Sequence, residues 1–143
     1  MTSALLAPAA TLILWSLVVL YWVMFTRMPA FKKAGVDLTQ SPPGGRYIDV
    51  ESAMPARINW VSHNNTHLVE QPTLFYAVIM VLAVAGDTSG LNLALAWAYT
   101  VLRVLHSLWQ GLVNTIPVRF LLFLLSSLCL TVLAVNAVRL TLF

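Results

Sequence analysis

The chain has 143 residues, of which 59% are hydrophobic and 9% charged, and its eight Lys and Arg outnumber five Asp and Glu for a net charge of +3. A soluble domain usually carries about 25% charged residues, and a disordered one is poor in apolar side chains, so neither class fits. The basic residues are scattered with no basic face, which argues against a nucleic-acid partner. Cys129 is the one cysteine, so no internal disulfide and no cysteine zinc site is possible.

Four apolar stretches predict an all-α integral membrane protein, a single four-transmembrane-helix domain over residues 1–143. The first helix is expected over about 4–26. It carries no charge before Arg27 and is long enough for a hydrocarbon core of roughly 30 Å. No Lys or Arg precedes it, and its apolar run exceeds that of a secretory signal, so it reads as an uncleaved span.

Residues 27–56 predict a polar loop. They hold Arg27, Lys32, Lys33, Asp37, Arg46, Asp49 and Glu51 among the breakers Pro29, Pro42, Pro43, Gly44, Gly45 and Pro55. A connection of this length is often functional.

The second helix is expected over about 57–85, the third over 91–113 and the fourth over 118–140, with short connections at 86–90 and 114–117. Arg27, Lys32, Lys33, Arg46 and Arg57 flank the first connection, Arg119 the third, and Asp87 alone the second. The positive-inside rule then puts loops 27–56 and 114–117 in the cytoplasm and both termini outside, with Arg139 as the dissenting charge. Lys32 and Lys33 read as topology determinants that touch membrane lipid headgroups.

Polar residues recur inside two helices. Asn59, His63, His67 and Glu70 follow steps of four, four and three, which puts them on one face of the second helix. Arg103, His106, Gln110 and Asn114 repeat the pattern on the third. Ionisable groups at membrane depth usually face a cavity or a partner. Glu70 and Arg103 fall at similar depth, which predicts an ion pair that glues helices, contributes to ligand binding, or does both.

His63, His67, Glu70 and His106 offer metal-ligand chemistry, but the zincin spacing needs Glu where Asn64 stands. The expectation is no metal, because polar helix faces more often form hydrogen-bond networks. Cys129 reads as a small buried hydrophobe. The five tryptophans read as packing or interfacial aromatics.

The run Arg57 to Phe75, ending His67-Leu-Val-Glu70-Gln-Pro72-Thr-Leu-Phe75, together with Leu102-Arg103-Val-Leu-His106 and Ile116-Pro117-Val118-Arg119, resembles the MAPEG family. These are membrane-associated proteins in eicosanoid and glutathione metabolism, and the likeness is to a bacterial-type member. The resemblance implies a homotrimer with glutathione, as cosubstrate, between neighbouring protomers near the cytoplasmic side.

By similarity, Glu70, Arg103 and His106 would line that cleft, with His67 and Gln110 beside them. Arg27 would reach a glutathione carboxylate. Arg119 would stabilise the thiolate and is the candidate catalytic residue. A guanidinium stays charged and can hold a thiolate in a partly dry cleft.

The chain departs from the family pattern at three places. His67 replaces the asparagine of Asn-x-x-Glu, Gln110 replaces a tyrosine, and Phe120 replaces a serine after the helix-4 arginine. The implied function is a glutathione-dependent transferase or peroxidase acting on lipophilic electrophiles. The alternative is a non-catalytic lipid-binding protein or an accessory subunit of a larger membrane complex.

Overall fold

The structure, a computed structural model, describes residues 4–40 and 42–143. Four helices follow in order: α1 (Leu6–Lys33), α2 (Ala56–Val84), α3 (Gly90–Leu112) and α4 (Ile116–Leu142). Each is long and apolar enough to cross a membrane, because a helix satisfies its own backbone where no water can. Short turns join α2 to α3 and α3 to α4, and α1 packs most closely on α2 and α3 on α4.

The connections follow local chemistry. Gly86 ends α2 in the left-handed region at φ 75°, and Asp87 N then donates back to Leu82 O at 3.0 Å, a closure that satisfies an orphan carbonyl of the last turn. Ser89 opens α3 by accepting from Asn92 N at 3.4 Å. Asn114 lies beyond α3, at φ 61°, a conformation asparagine tolerates better than most residues. It therefore belongs to the turn and not to the α3 stripe.

α1 continues through Lys33, past the expected end near residue 26. Pro29 removes one intrahelical bond but does not stop the helix. Lys32 and Lys33 in its last turn complement the negative end of the helix dipole. The rest of the connection holds three short 3₁₀ turns at Leu38–Gln40, Tyr47–Asp49 and Glu51–Ala53. Phe31, Ala30 and Met54 are buried together, with Tyr47, Val50 and Ile58 packed against them, so the loop docks on the ends of α1 and α2.

The main core draws on all four helices. Leu12, Val19, Phe75, Ile79, Leu82, Ala96, Tyr99 and Leu133 are fully buried. Phe75 and Tyr99 stack with ring centroids 4.2 Å apart, an aromatic contact worth about 0.5–1.5 kcal/mol beyond area burial. At Gly111 an added Cβ would stand 2.7 Å from Trp22 Cη2, so a glycine lets the indole lie against α3. Cys129 is partly buried beside this core and free.

Candidate functional site

The α3 stripe turns inward. Arg103, His106 and Gln110 are buried, at 0%, 4% and 1% exposure, so the bundle itself shields them from lipid. Among the described residues Arg103 is the largest wholly buried side chain. Its Nη2 donates to the His67 carbonyl at 2.6 Å, while Nε and Nη1 are buried and have no protein acceptor.

The acceptor on α2 follows from the sequence nearby. Pro72 lacks an N–H, so the Leu68 carbonyl loses its helical donor. The adjacent His67 carbonyl has two lone pairs and accepts the Arg103 donor with one of them. A guanidinium buried with two unmet donors is costly unless a polar partner joins it.

The imidazoles of His67 and His106 meet edge to face, with centroids 5.9 Å apart. Glu70 Oε2 lies 3.5 Å from His67 Nδ1, with 59% of the glutamate side chain exposed. Glu70 and Arg103 therefore do not form the expected ion pair within the protomer. The reason is rotational: the face carrying His63 and Glu70 points out of the bundle, and Arg103 points in. The inward face of α2 carries Ser62, Asn64 and Leu68 instead.

Ser107 and Asn64 complete the buried network, and no step in the polar stripes picked them out. Ser107 Oγ accepts from Trp15 Nε1 at 3.0 Å and from Asn64 Nδ2 at 2.8 Å. Asn64 Oδ1, Gln110 Oε1 and Tyr76 Oη are buried without a partner. Ser107 lies four residues after Arg103, so the same helical spacing contains it. Trp15 donates into this network, which is more than a packing role.

Arg119 sits at the start of α4, partly buried. Its Nη1 donates to Asn114 Oδ1 at 2.5 Å, and its Nε is buried and unmatched. Its charge and that of Arg103 both bear on His67 and His106. Gln110, Arg103, His106, His67 and Arg119 thus belong to one polar region at the end of the bundle shared with the long loop.

Arg27 stands apart from that group. Its Nη2 donates to Ser62 Oγ, and its guanidinium carbon lies 3.7 Å from the centre of the Tyr47 ring, a cation–π contact. Tyr47 Oη donates to Asn59 Oδ1 at 2.6 Å, and Asn59 Nδ2 donates to Glu51 O at 3.1 Å. Glu51 Oε1 meets His63 Nε2 at 2.5 Å. The loop is strapped onto α1 and α2 through these contacts. Burial raises the Tyr47 phenol above its ordinary value, and Arg27 partly offsets this.

Among the described residues no three His, Cys, Asp or Glu side chains gather as metal ligands. Apart from the Tyr76 hydroxyl, the buried side-chain donors that lack partners among the described residues are guanidinium N–H groups on α1, α3 and α4. That set suits an anionic, multiply hydrogen-bonding ligand.

Fold and site together define a multi-pass integral membrane protein whose four-helix bundle buries a cationic polar centre. The model of the MAPEG family matches residues 5–139, and the chain belongs to that family. Comparison with curated proteins and with solved structures gives no match.

Proposed function

We propose that the protein is a glutathione-dependent membrane transferase or peroxidase that acts on lipophilic electrophiles. The observation that carries this reading is Arg103, wholly buried with two N–H groups unmatched beside His106 and His67. Arg119 and Arg27 each add one more buried, unmatched donor. Glutathione carries two carboxylates and a thiol, and guanidiniums bind such anions in preference to neutral ligands.

When bound, glutathione supplies the nucleophile, a thiolate that displaces a leaving group from carbon or cleaves a peroxide bond. Arg103 and Gln110 hold the tripeptide from inside the bundle. Arg119, tied to Asn114, keeps its charge at the start of α4 and stabilises the thiolate. Arg27 takes a carboxylate from the loop side.

The outward face of α2 carries His63, His67 and Glu70 at depths where lipid is a poor solvent. This supports a homotrimer in which a neighbouring protomer covers that face and completes the cleft. The positive-inside rule supports a cytoplasmic position for the site, since Arg27, Lys32, Lys33, Arg46, Arg57 and Arg119 share its end of the bundle.

Thermal unfolding of detergent-purified protein tests the reading. Glutathione at 100 times its dissociation constant stabilises by about 2.7 kcal/mol. Arg119→Ala should lose thiol transfer to an aryl halide far more than it loses stability. No thermal shift with millimolar glutathione would sink the proposal.

One observation favours the non-catalytic alternative, a lipid-binding protein or accessory subunit. Arg27 already gives its face to Tyr47 and one donor to Ser62, which leaves less of it for a ligand. Co-purification of a stoichiometric protein or lipid, with no glutathione shift, decides for that alternative.

A further inference from the structure

Asn114 stands in the α3–α4 turn, outside the α3 stripe, yet its side chain reaches the candidate site. Its Oδ1 accepts from Arg119 Nη1 at 2.5 Å. Among the described residues this is the one hydrogen bond of the Arg119 side chain. The spacing explains the contact. Thr115 is the N-cap of α4, so Asn114 precedes the cap and Arg119 is the fourth helical residue. These two positions meet across the first turn and are often filled by an apolar pair. Here the pair is polar.

The turn is held from two sides. Asn114 has φ 61°, and its N donates to Trp109 O at 2.7 Å. The Trp109 indole Nε1 donates to Thr115 Oγ1 at 2.9 Å. One tryptophan thus fixes both residues that precede α4. Glycine adopts a left-handed turn more readily than asparagine, so the turn alone does not call for this side chain. What the amide adds is an acceptor.

The start of α4 is an unfavourable place for a cation. Arg119 meets the positive end of the helix dipole there, and a long basic side chain at a membrane rim extends toward lipid phosphates. Both effects draw the guanidinium outward. Instead its Nε is buried, and its charge bears on His67 of α2 and His106 of α3. The other titratable or charged groups of that region are Glu70 beside His67, His63 one turn before it, and Arg103 bonded to the His67 carbonyl.

The kind of acceptor matters. An aspartate at this point would hold the guanidinium with a charge of its own and cancel much of the field that an anion meets. A neutral amide holds it and leaves the charge whole.

We propose that Asn114 is a positioning residue for Arg119. Its amide oxygen keeps the guanidinium turned into the cleft, away from lipid phosphates, and presents its full charge to the thiolate of glutathione. The inference rests on the glutathione reading above. In the step it serves, the thiol gives its proton to water, the sulfur bonds to the electrophilic carbon, and the leaving group departs with its electron pair.

The test is the pH dependence of kcat/KM for transfer of glutathione to chlorodinitrobenzene by detergent-purified protein, with wild type, Asn114→Gly and Asn114→Asp compared. Both replacements tolerate the left-handed turn, and thermal unfolding checks that each variant is folded. Glycine removes the acceptor, so kcat/KM should fall roughly 10–100-fold with little change in unfolding temperature. Aspartate keeps the acceptor and adds a negative charge. The pH midpoint for thiolate formation should therefore rise by about one unit or more, with the rate at high pH returning close to that of wild type. A purely structural role would leave that midpoint where it is, and any loss of rate would follow the loss of stability.

Thermal unfolding of wild type with millimolar glutathione separates two kinds of failure. No shift there ends the glutathione reading and this inference together. A shift in wild type, with an unchanged rate in Asn114→Gly or an unchanged midpoint in Asn114→Asp, overturns this inference alone and leaves Asn114 a turn residue.

Discussion

Gly111→Ala tests how tightly α1 and α3 meet beside the candidate site. The new Cβ would stand 2.7 Å from Trp22 Cη2 and 3.0 Å from Cζ3. Ordinary contact begins at 3.4 Å, so the indole must retreat by about 0.7 Å. An indole is rigid and turns about only two side-chain torsions, so the strain passes to α1. Overpacking of this kind costs about 1–3 kcal/mol. Alanine recovers about 1 kcal/mol of helix propensity relative to glycine.

The net expectation is a loss of up to about 2 kcal/mol, read by thermal unfolding in mild detergent. Trp22→Phe removes the outer ring that carries both atoms. In that background Gly111→Ala should become stabilising by about 1 kcal/mol, because only the propensity term is left. The coupling between the two positions is the measured quantity. Equal effects of Gly111→Ala in both backgrounds would refute the contact.

Arg103→Met keeps the side-chain length and removes a buried charge with two unmatched donors, so stability should hold or rise, as replacing buried ionic groups by apolar ones often does. The same variant should lose any glutathione-induced thermal shift, and a large drop in intrinsic stability would show that Arg103 is better satisfied than its geometry indicates. Ser89→Ala removes the side-chain acceptor at the start of α3 and should cost about 1 kcal/mol in the same unfolding assay. Tyr47 has its folded pKa raised by burial, so its contribution is complete below the unfolded value near 10 and is lost as pH rises through the higher folded value. Absorbance titration of wild type against Tyr47→Phe should show that late-titrating phenol, and ionisation at or below the ordinary value would contradict the strapped loop.

The four helices were legible because a bilayer leaves few choices: a span needs about 20 apolar residues and internal backbone bonding. The α3 stripe was legible for a related reason. Steps of three and four put Arg103, His106 and Gln110 on one face, and the rest of α3 is too apolar for that face to point outward. α2 was ambiguous because it is polar on two faces. Its periodicity groups His63, His67 and Glu70 correctly but does not say which face meets α3. Packing chose Ser62, Asn64 and Leu68, and the Glu70–Arg103 pair was lost with that choice.

The end of α1 was misjudged because Pro29 reads as a breaker. Near a C-terminus it costs a single bond, and the docking of Phe31 on Met54 holds the remaining turns. Trp15 and Ser107 were hidden for another reason. Their hydrogen bond joins residues 92 positions apart, and no local pattern encodes such a pairing.

Glu70 lies fourteen residues after Ala56 and fourteen before Val84, at the midpoint of α2, and its side chain is 59% exposed. A carboxylate on the outer surface at that level is poorly solvated by acyl chains. Removing it from lipid therefore rewards contact with another polar surface, and mass action in two dimensions governs how often that contact forms. The relevant variable is the number of chains per lipid rather than per volume of buffer. Diluting the protein with added lipid, at constant bulk concentration, should expose Glu70 and weaken whatever the outer face of α2 helps to build.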